Sequence, residues 1–249
     1  MLVTHCFLRD PDQRFLAWLS SKVEELEGAG FMGFDSTKSM CLSVEQVVFG
    51  EEQVSWSRVS EQEVVEVVDG LSSDVIGVLD GVFQVFVLPC VNAFVADRLG
   101  GVSGFCFWRD VCVVFVNGLP GWQQRLRDTL LHELSHAYRL RFQPRTTVAD
   151  DLVFEGLAEH FKEAYGTPEH SPMVQAIDEV DVRKRFAQAK PLINSSSDAD
   201  REALIVGSEG FALWDVYRIG YWLVAKQELS WPHALTQPTK TFLSDEELS

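Results

Sequence analysis

The spacing of apolar residues changes once along the chain, from an extended pattern to a helical one. Between Val82 and Val116, β-branched and aromatic residues form three short apolar runs, a pattern that predicts strands. The first run ends at Pro89. The other two, Phe105–Trp108 and Val111–Val116, are separated by only two residues and therefore predict a β-hairpin.

After a break at residues 117–120 (Asn-Gly-Leu-Pro), apolar residues recur every three or four positions, which is the period of a helix. The polar, serine-rich stretch 194–200 predicts a loop within this second half. The predicted helices of the second half cover residues 122–141, 150–165, 172–189 and 209–228. The same period predicts two helices before the strands, over residues 12–28 and 60–69.

These elements predict an α+β fold. Residues 1–121 would form a small N-terminal lobe with a mixed sheet, and residues 122–249 a mainly helical C-terminal lobe. A chain of 249 residues is long enough to bury one core of ordinary size, and it contains no internal repeat. We therefore expect the two lobes to belong to a single domain, 1–249.

The composition indicates which kinds of binding partner are unfavourable. A net charge of −16 disfavours binding to nucleic acid or to an anionic membrane surface, because both kinds of contact depend on clustered Lys and Arg. No stretch approaches the ~20 consecutive apolar residues of a membrane-spanning helix. The first ten residues lack the pattern of a secretory signal. We expect a cytoplasmic protein without a nucleic-acid or membrane partner, and the sequence leaves its oligomeric state open.

The five cysteines are odd in number and have no CxxC spacing, which argues against both a disulfide framework and a thiolate metal site. Cys90, Cys106 and Cys112 lie in strongly apolar stretches. A free cysteine in such a place behaves as a small core residue. We therefore expect these three to be reduced and buried.

The candidate chemistry lies in residues 132–136, His-Glu-Leu-Ser-His, within the predicted helix 122–141. Residues i and i+4 share one face of a helix, so His132 and His136 can bind the same metal ion. Glu133 follows the first histidine, which places its carboxylate beside a metal-bound water rather than on the metal. This is the arrangement of the HExxH motif, in which the glutamate is the general base.

A catalytic zinc ion needs a third protein ligand and an open position for water. Glu155 and Glu159 lie one turn apart on the next predicted helix, and the chain between His136 and Glu155 is long enough to turn and return. A third histidine six residues after His136, as in metzincins, is absent because that residue is Phe142. The sequence thus favours a glutamate ligand.

HELSH followed by EGLAE at this separation resembles the gluzincins, and more narrowly the DUF2268 group of predicted zinc-dependent proteases. The resemblance covers residues 83–227. Its parts are the strand ending at Pro89, the segment with Gly100, Gly101 and Gly104, the strand 111–116, HELSHAYR, FEGLAEHF and, from Trp214, WDVYRIGYWLV. No resemblance extends over the first 80 residues.

The resemblance implies a zincin-like active-site helix with Zn²⁺ held by His132, His136 and Glu155. It implies that Glu159 accepts the outer N–H of a ligating histidine and so fixes its tautomer. A tyrosine or a histidine from a later helix commonly stabilises the oxyanion in gluzincins. Tyr217 and Tyr221 are the candidates here, one turn apart on one helix face.

The expected function is zinc-dependent hydrolysis of peptide bonds, with a peptide or protein as substrate and the zinc-bound water activated by Glu133. The edge of the 105–116 hairpin would hold an extended peptide by strand addition. The alternative is a non-catalytic zinc protein that uses the metal for structure or regulation while it binds a partner. Glu133 argues against this alternative because a structural site has no use for a base beside the metal.

Overall fold

The computed structural model describes residues 2–7, 59–75, 77–90, 93–175 and 178–243. The helix predicted over residues 12–28 lies outside them. The chain divides into two compact units, residues 1–137 and 138–249, and each is described by itself.

The first unit contains a mixed sheet of four described strands. They are β1 (Leu2–Phe7), β2 (Val82–Pro89), β3 (Val102–Trp108) and β4 (Val111–Val116). The strand order is β1-β2-β4-β3, with β1, β2 and β4 parallel and β3 antiparallel to β4. The predicted hairpin is thereby confirmed. Since β4 has a neighbour on each side, β3 is the member of the hairpin that lies at the edge of the described sheet.

Three described helices accompany this sheet: α1 (Glu61–Val75), α2 (Ala93–Leu99) and α3 (Trp122–Arg139). In α1, Val64, Val68 and Leu71 recur at helical spacing and are fully buried. Every residue of β4 is buried, as expected for a strand with neighbours on both sides. Helix α2 has no counterpart among the predicted elements, because its seven residues are too short to show a helical period.

The second unit is helical. Its helices are α4 (Val148–Tyr165), α5 (Glu179–Ala189), α6 (Asp198–Val206), α7 (Asp215–Val224) and α8 (His233–Thr236), with short 3₁₀ turns at Lys190–Leu192 and Thr239–Thr241. The α+β class predicted from the sequence is thus confirmed. Within the described ranges, no helix combines the length and the apolar character needed to cross a bilayer.

Several boundaries in this unit differ from the sequence prediction. Helix α7 (Asp215–Val224) is shorter at both ends than the predicted helix 209–228. Helix α5 begins at Glu179 rather than near residue 172, because the Asp178 side chain accepts hydrogen bonds from the backbone N–H groups of Val180 and Asp181. The predicted loop 194–200 ends early, since α6 already begins at Asp198. Acidic residues such as Asp198 suit a first helical turn, where the exposed N–H groups favour negative charge.

Helices α4 and α7 cross in close backbone contact at two glycines. A Cβ atom on Gly156 would lie 2.2 Å from the carbonyl oxygen of Gly220. A Cβ atom on Gly220 would lie 2.0 Å from the carbonyl oxygen of Leu152. Neither distance is compatible with a side chain larger than hydrogen, so these glycines set how closely the two helices approach.

The C-terminal segment is held to the start of this unit by Arg139, which is 1% exposed. Its Nη1 donates to the backbone carbonyls of Leu235 (3.1 Å) and Gln237 (2.8 Å). The guanidinium also lies over the ring of Phe154, 4.8 Å from the centroid. Burial lowers the pKa of Arg139 to about 10 despite the nearby Asp150 carboxylate.

Candidate metal centre

The α3 helix places His132 and His136 side by side in the protein interior. The helix contains no Gly or Pro, and Leu126, Leu130 and Leu134 anchor it in the core with no exposed surface. The two histidines are 8% and 3% exposed. Their Nε2 atoms are 3.0 Å apart, with the ring planes at 85° to each other.

This pair of nitrogens fits a zinc ion. Two ligands at 2.0–2.1 Å from a tetrahedral ion lie about 3.3 Å apart, close to the observed separation. Each Nε2 then directs a lone pair towards the same point, which requires the proton of each neutral imidazole to be on Nδ1. Burial of two imidazoles with converging nitrogens is costly unless a proton or a cation lies between them.

The third candidate ligand is Glu155 on α4, which is 4% exposed. One potential ligand atom from each of His132, His136 and Glu155 lies within 4.8 Å of the other two. Two imidazoles and one carboxylate form the donor set of many catalytic zinc sites, where the fourth position stays open for water. The three residues could therefore hold a metal ion.

The side chain of Glu133 is packed against the sheet. It is 5% exposed, and the backbone of Gly104 on β3 faces it. A Cβ atom on Gly104 would lie 2.7 Å from Glu133 Cγ, 2.9 Å from Glu133 Oε1 and 2.8 Å from Thr129 Cγ2. The glycine thus leaves the room that the Glu133 carboxylate occupies.

Two cysteines of the β3–β4 hairpin, Cys106 and Cys112, lie close together, and Cys112 also lies near Glu133. Cys106 and Cys112 are free and buried, as is Cys90, and the prediction made for these three is confirmed. Burial raises the pKa of the Cys112 thiol, and the neighbouring Cys106 and the negative charge of Glu133 add to the rise. Cys112 is thus a core residue with little thiolate character.

In the second unit, Glu155 belongs to a buried network of charged residues. Arg145 Nη2 lies 2.6 Å from Glu155 Oε1, and Arg145 Nε lies 2.5 Å from Asp151 Oδ1. Arg201 approaches the other oxygen of Asp151, with its Nε 2.7 Å from Oδ2. Burial alone would lower the pKa of Arg145, but the carboxylates of Asp151 and Glu155 outweigh it and raise that pKa.

The spacing of residues along the chain does not predict this network. Arg145 lies in the segment between α3 and α4, where no period indicates the direction of a side chain. Asp151 and Glu155 are i and i+4 on α4 and therefore share one face, but this spacing does not indicate a shared basic partner. The sequence does contain one signal for such a network: an arginine shortly before a helix that carries two acidic residues on one face.

Glu159 lies on α4 one turn after Glu155 and is 1% exposed. Its Oε2 is 3.9 Å from Nζ of Lys162, which is itself buried and donates to the backbone carbonyl of Glu169 at 2.7 Å. The predicted hydrogen bond from a ligating histidine to Glu159 stays a prediction.

The two candidate tyrosines on α7 have different surroundings. Tyr217 is half-buried and lies near Arg145, the ion-pair partner of Glu155. Tyr221 donates to Glu163 Oε2 at 2.9 Å and stacks on His160 with ring centroids 4.1 Å apart. Burial and the Glu163 carboxylate raise the pKa of Tyr221. Tyr221 thus contacts Glu163 and His160, whereas Tyr217 lies near Arg145.

A protein-family model described as "Predicted Zn-dependent protease (DUF2268)" matches residues 49–247 of the chain. No curated protein and no solved structure matches the sequence. The matched range includes α3 with both histidines and α4 with Glu155. It also includes residues 49–80, so the expectation that the resemblance is absent from the first 80 residues is wrong for that part.

Proposed function

The chain belongs to the DUF2268 family of predicted zinc-dependent proteases, and from this premise we propose that it is a gluzincin-type metallopeptidase. His132, His136 and Glu155 would hold Zn²⁺, and Glu133 would be the general base. The substrate would be a peptide or a protein. The main support is the convergence of the two histidine Nε2 atoms, 3.0 Å apart in the interior, on a helix that also carries a buried glutamate.

Zinc bound by these residues would polarise the scissile carbonyl and lower the pKa of a water molecule towards neutrality. The carboxylate of Glu133 then takes a proton from the attacking water and delivers it to the nitrogen of the leaving amine. The buried position of Glu133 against β3 supports this role, because the close contact with Gly104 limits where its carboxylate can lie.

Two further residues would assist. We assign Tyr217 as the hydrogen-bond donor to the oxyanion, because it is half-buried near Arg145, the ion-pair partner of the proposed ligand Glu155. Glu159 would orient a ligating histidine by accepting its Nδ1–H, as its burial on the same helix as Glu155 allows. Both assignments rest on the gluzincin resemblance together with the surroundings described above.

The substrate would bind along β3. An extended peptide can add to a sheet only where a strand lacks a neighbour, and in the described sheet that condition holds at β3 within the hairpin. The same strand carries Gly104, which faces the proposed base. β4 is unsuited to this role because β2 and β3 already satisfy its backbone groups.

The test compares three variants of the full chain with the wild type: Glu133→Gln, His132→Ala and Glu155→Ala. Zinc content after dialysis and cleavage of an unstructured protein such as casein are measured for each. We expect about one zinc per wild-type chain, retention of zinc but loss of turnover in Glu133→Gln, and loss of zinc in the other two.

The outcomes separate the possible functions. A wild type that binds no zinc after supplementation would contradict the proposal. A wild type that binds zinc and behaves identically to Glu133→Gln in every assay would indicate the non-catalytic alternative, in which zinc has a structural or regulatory role.

A further inference from the structure

Arg145 divides its hydrogen bonds between two carboxylates on α4. Its Nε and Nη2 groups lie along one edge of the guanidinium, which in many proteins binds both oxygens of a single carboxylate. Here Nε lies 2.5 Å from Asp151 Oδ1 and Nη2 lies 2.6 Å from Glu155 Oε1. The Arg145 side chain is 12% exposed and both acidic side chains are at most 5% exposed.

Arg201 completes the network on the other side of Asp151. It donates to both oxygens of that carboxylate, from Nε at 2.7 Å and from Nη2 at 3.0 Å. Its second ion-pair partner in the described chain is Asp198, at 3.4 Å. Arg145 and Arg201 together balance the charges of Asp151 and Glu155, and of the two it is Arg145 that forms an ion pair with Glu155.

We propose that Arg145 is an internal counter-ion for Glu155, which neutralises this metal-ligand carboxylate in the zinc-free protein and thereby allows the site to form before zinc binds. The inference rests on the proposed function, because it takes Glu155 as a zinc ligand. A buried carboxylate without a cationic partner destabilises a fold strongly. Arg145 supplies that partner from within the same unit.

The proposal has a consequence for zinc affinity. The guanidinium and the zinc ion are both positive and both interact with the Glu155 carboxylate, so they repel each other at short range in a poorly solvated interior. Arg145 thus stabilises the zinc-free protein and weakens the binding of zinc. A residue that only oriented Glu155 would have the opposite effect on zinc binding, because removal of such partners typically weakens metal affinity about 10- to 100-fold.

The experiment compares Arg145→Gln with Arg201→Gln in the full chain. Both variants remove one positive charge from the network, but Arg201 is paired with Asp151 and Asp198, which makes it the matched control. Thermal unfolding is measured after zinc removal and again with saturating zinc. The zinc dissociation constant is measured by competition with a chelating dye.

For Arg145→Gln we expect zinc to bind about tenfold more tightly than to the wild type. The zinc-free Tm should fall, and the rise in Tm on adding zinc should be larger than in the wild type. For Arg201→Gln, Tm should fall by similar amounts with and without zinc. Its dissociation constant should stay within about twofold of the wild type.

Arg145→Lys tests whether charge is the cause, since lysine keeps the cation but not the fork. We expect its zinc affinity to stay within about twofold of the wild type. Three results would overturn the proposal: zinc binding to Arg145→Gln that is unchanged or weaker, equal tightening in Arg145→Lys, or failure of Arg145→Gln to fold in saturating zinc. A wild type that binds no zinc would instead contradict the proposed function.

Discussion

Gly104 lies on β3 and Glu133 on α3, with β4 between them in the sequence. The glycine backbone nevertheless lies so close to the glutamate that a methyl group on Gly104 would overlap its side chain. The added carbon would be 2.7 Å from Glu133 Cγ. Close contact of this kind restricts the rotamers available to Glu133 and holds its carboxylate in one place. The edge strand therefore determines the position of the proposed base.

Substitution of Gly104 by alanine should displace Glu133 while leaving the zinc ligands in place. We expect kcat to fall about 10- to 100-fold, because small misplacements of catalytic groups have effects of this size. Zinc content should be unchanged. Ser103→Ala is the control, since its side chain points to the opposite face of β3. Full activity of Gly104→Ala would show that Glu133 does not depend on this contact.

The tyrosines of α7 can be distinguished by removing each hydroxyl. Tyr217→Phe should lower kcat by about 10²-fold with little change in KM, as expected on loss of an oxyanion donor. Tyr221→Phe should keep kcat and lose about 1 kcal/mol of stability, because its hydroxyl donates to Glu163. The measurements are steady-state kinetics on a quenched fluorescent peptide and urea unfolding. The reverse pattern would assign the oxyanion role to Tyr221.

The glycine crossing of α4 and α7 should tolerate no side chain at Gly156. Gly156→Ala forces a Cβ atom against the Gly220 carbonyl. We expect the free energy of unfolding to fall by about 1–3 kcal/mol. Gly70→Ala is the matched control, because Gly70 also lies within a helix but has no atom within 4 Å of the added carbon. That control should gain up to about 1 kcal/mol. Equal stabilities for the two variants would contradict the close approach.

The stability of the protein should depend on pH partly through His160. Burial lowers the pKa of His160 below its usual value and outweighs the Tyr221 carbonyl and the carboxylates of Glu163 and Glu159, which act in the opposite direction. The folded state therefore binds this proton less readily than the unfolded state. The stability contributed is present above about pH 6.5 and is lost as the pH falls below that value, through the folded-state pKa.

His160→Gln should weaken this pH dependence, because glutamine cannot take up a proton. Glutamine can still donate a hydrogen bond to the Tyr221 carbonyl, which lies 3.1 Å from Nε2 of His160 in the wild type. Thermal unfolding between pH 5 and 8 is measured on chelator-treated wild type and variant, so that zinc binding does not contribute. We expect the fall in Tm at low pH to be smaller in the variant. Parallel curves would exclude His160 as a contributor.

The parts of the site that were predictable from the sequence are those governed by local periods. His132 and His136 could be placed on one helix face because the spacing i, i+4 and the absence of helix breakers are local properties. The hairpin 105–116 followed from two apolar runs with a short gap. Whether residues 1–249 form one zincin-like domain stays a prediction.

The parts that were missed depend on contacts distant in sequence. Nothing local indicates that Gly104 faces Glu133, since that contact depends on how α3 lies on the sheet. Arg145 shows no period, and its role follows only from the path of the chain before α4. The short helix α2 gave no signal because seven residues span fewer than two turns.

The hydrogen bonds of Arg139 make the stability of the second unit depend on residues near the end of the described chain. Its carbonyl partners at Leu235 and Gln237 are nearly a hundred residues later in the chain, so a nascent polypeptide reaches them only near the end of synthesis. Until then the guanidinium has no such partners, and burying it would cost about 3–5 kcal/mol. A chain that ends before residue 235 should therefore be less stable than the full chain, because Arg139 would lack these two acceptors.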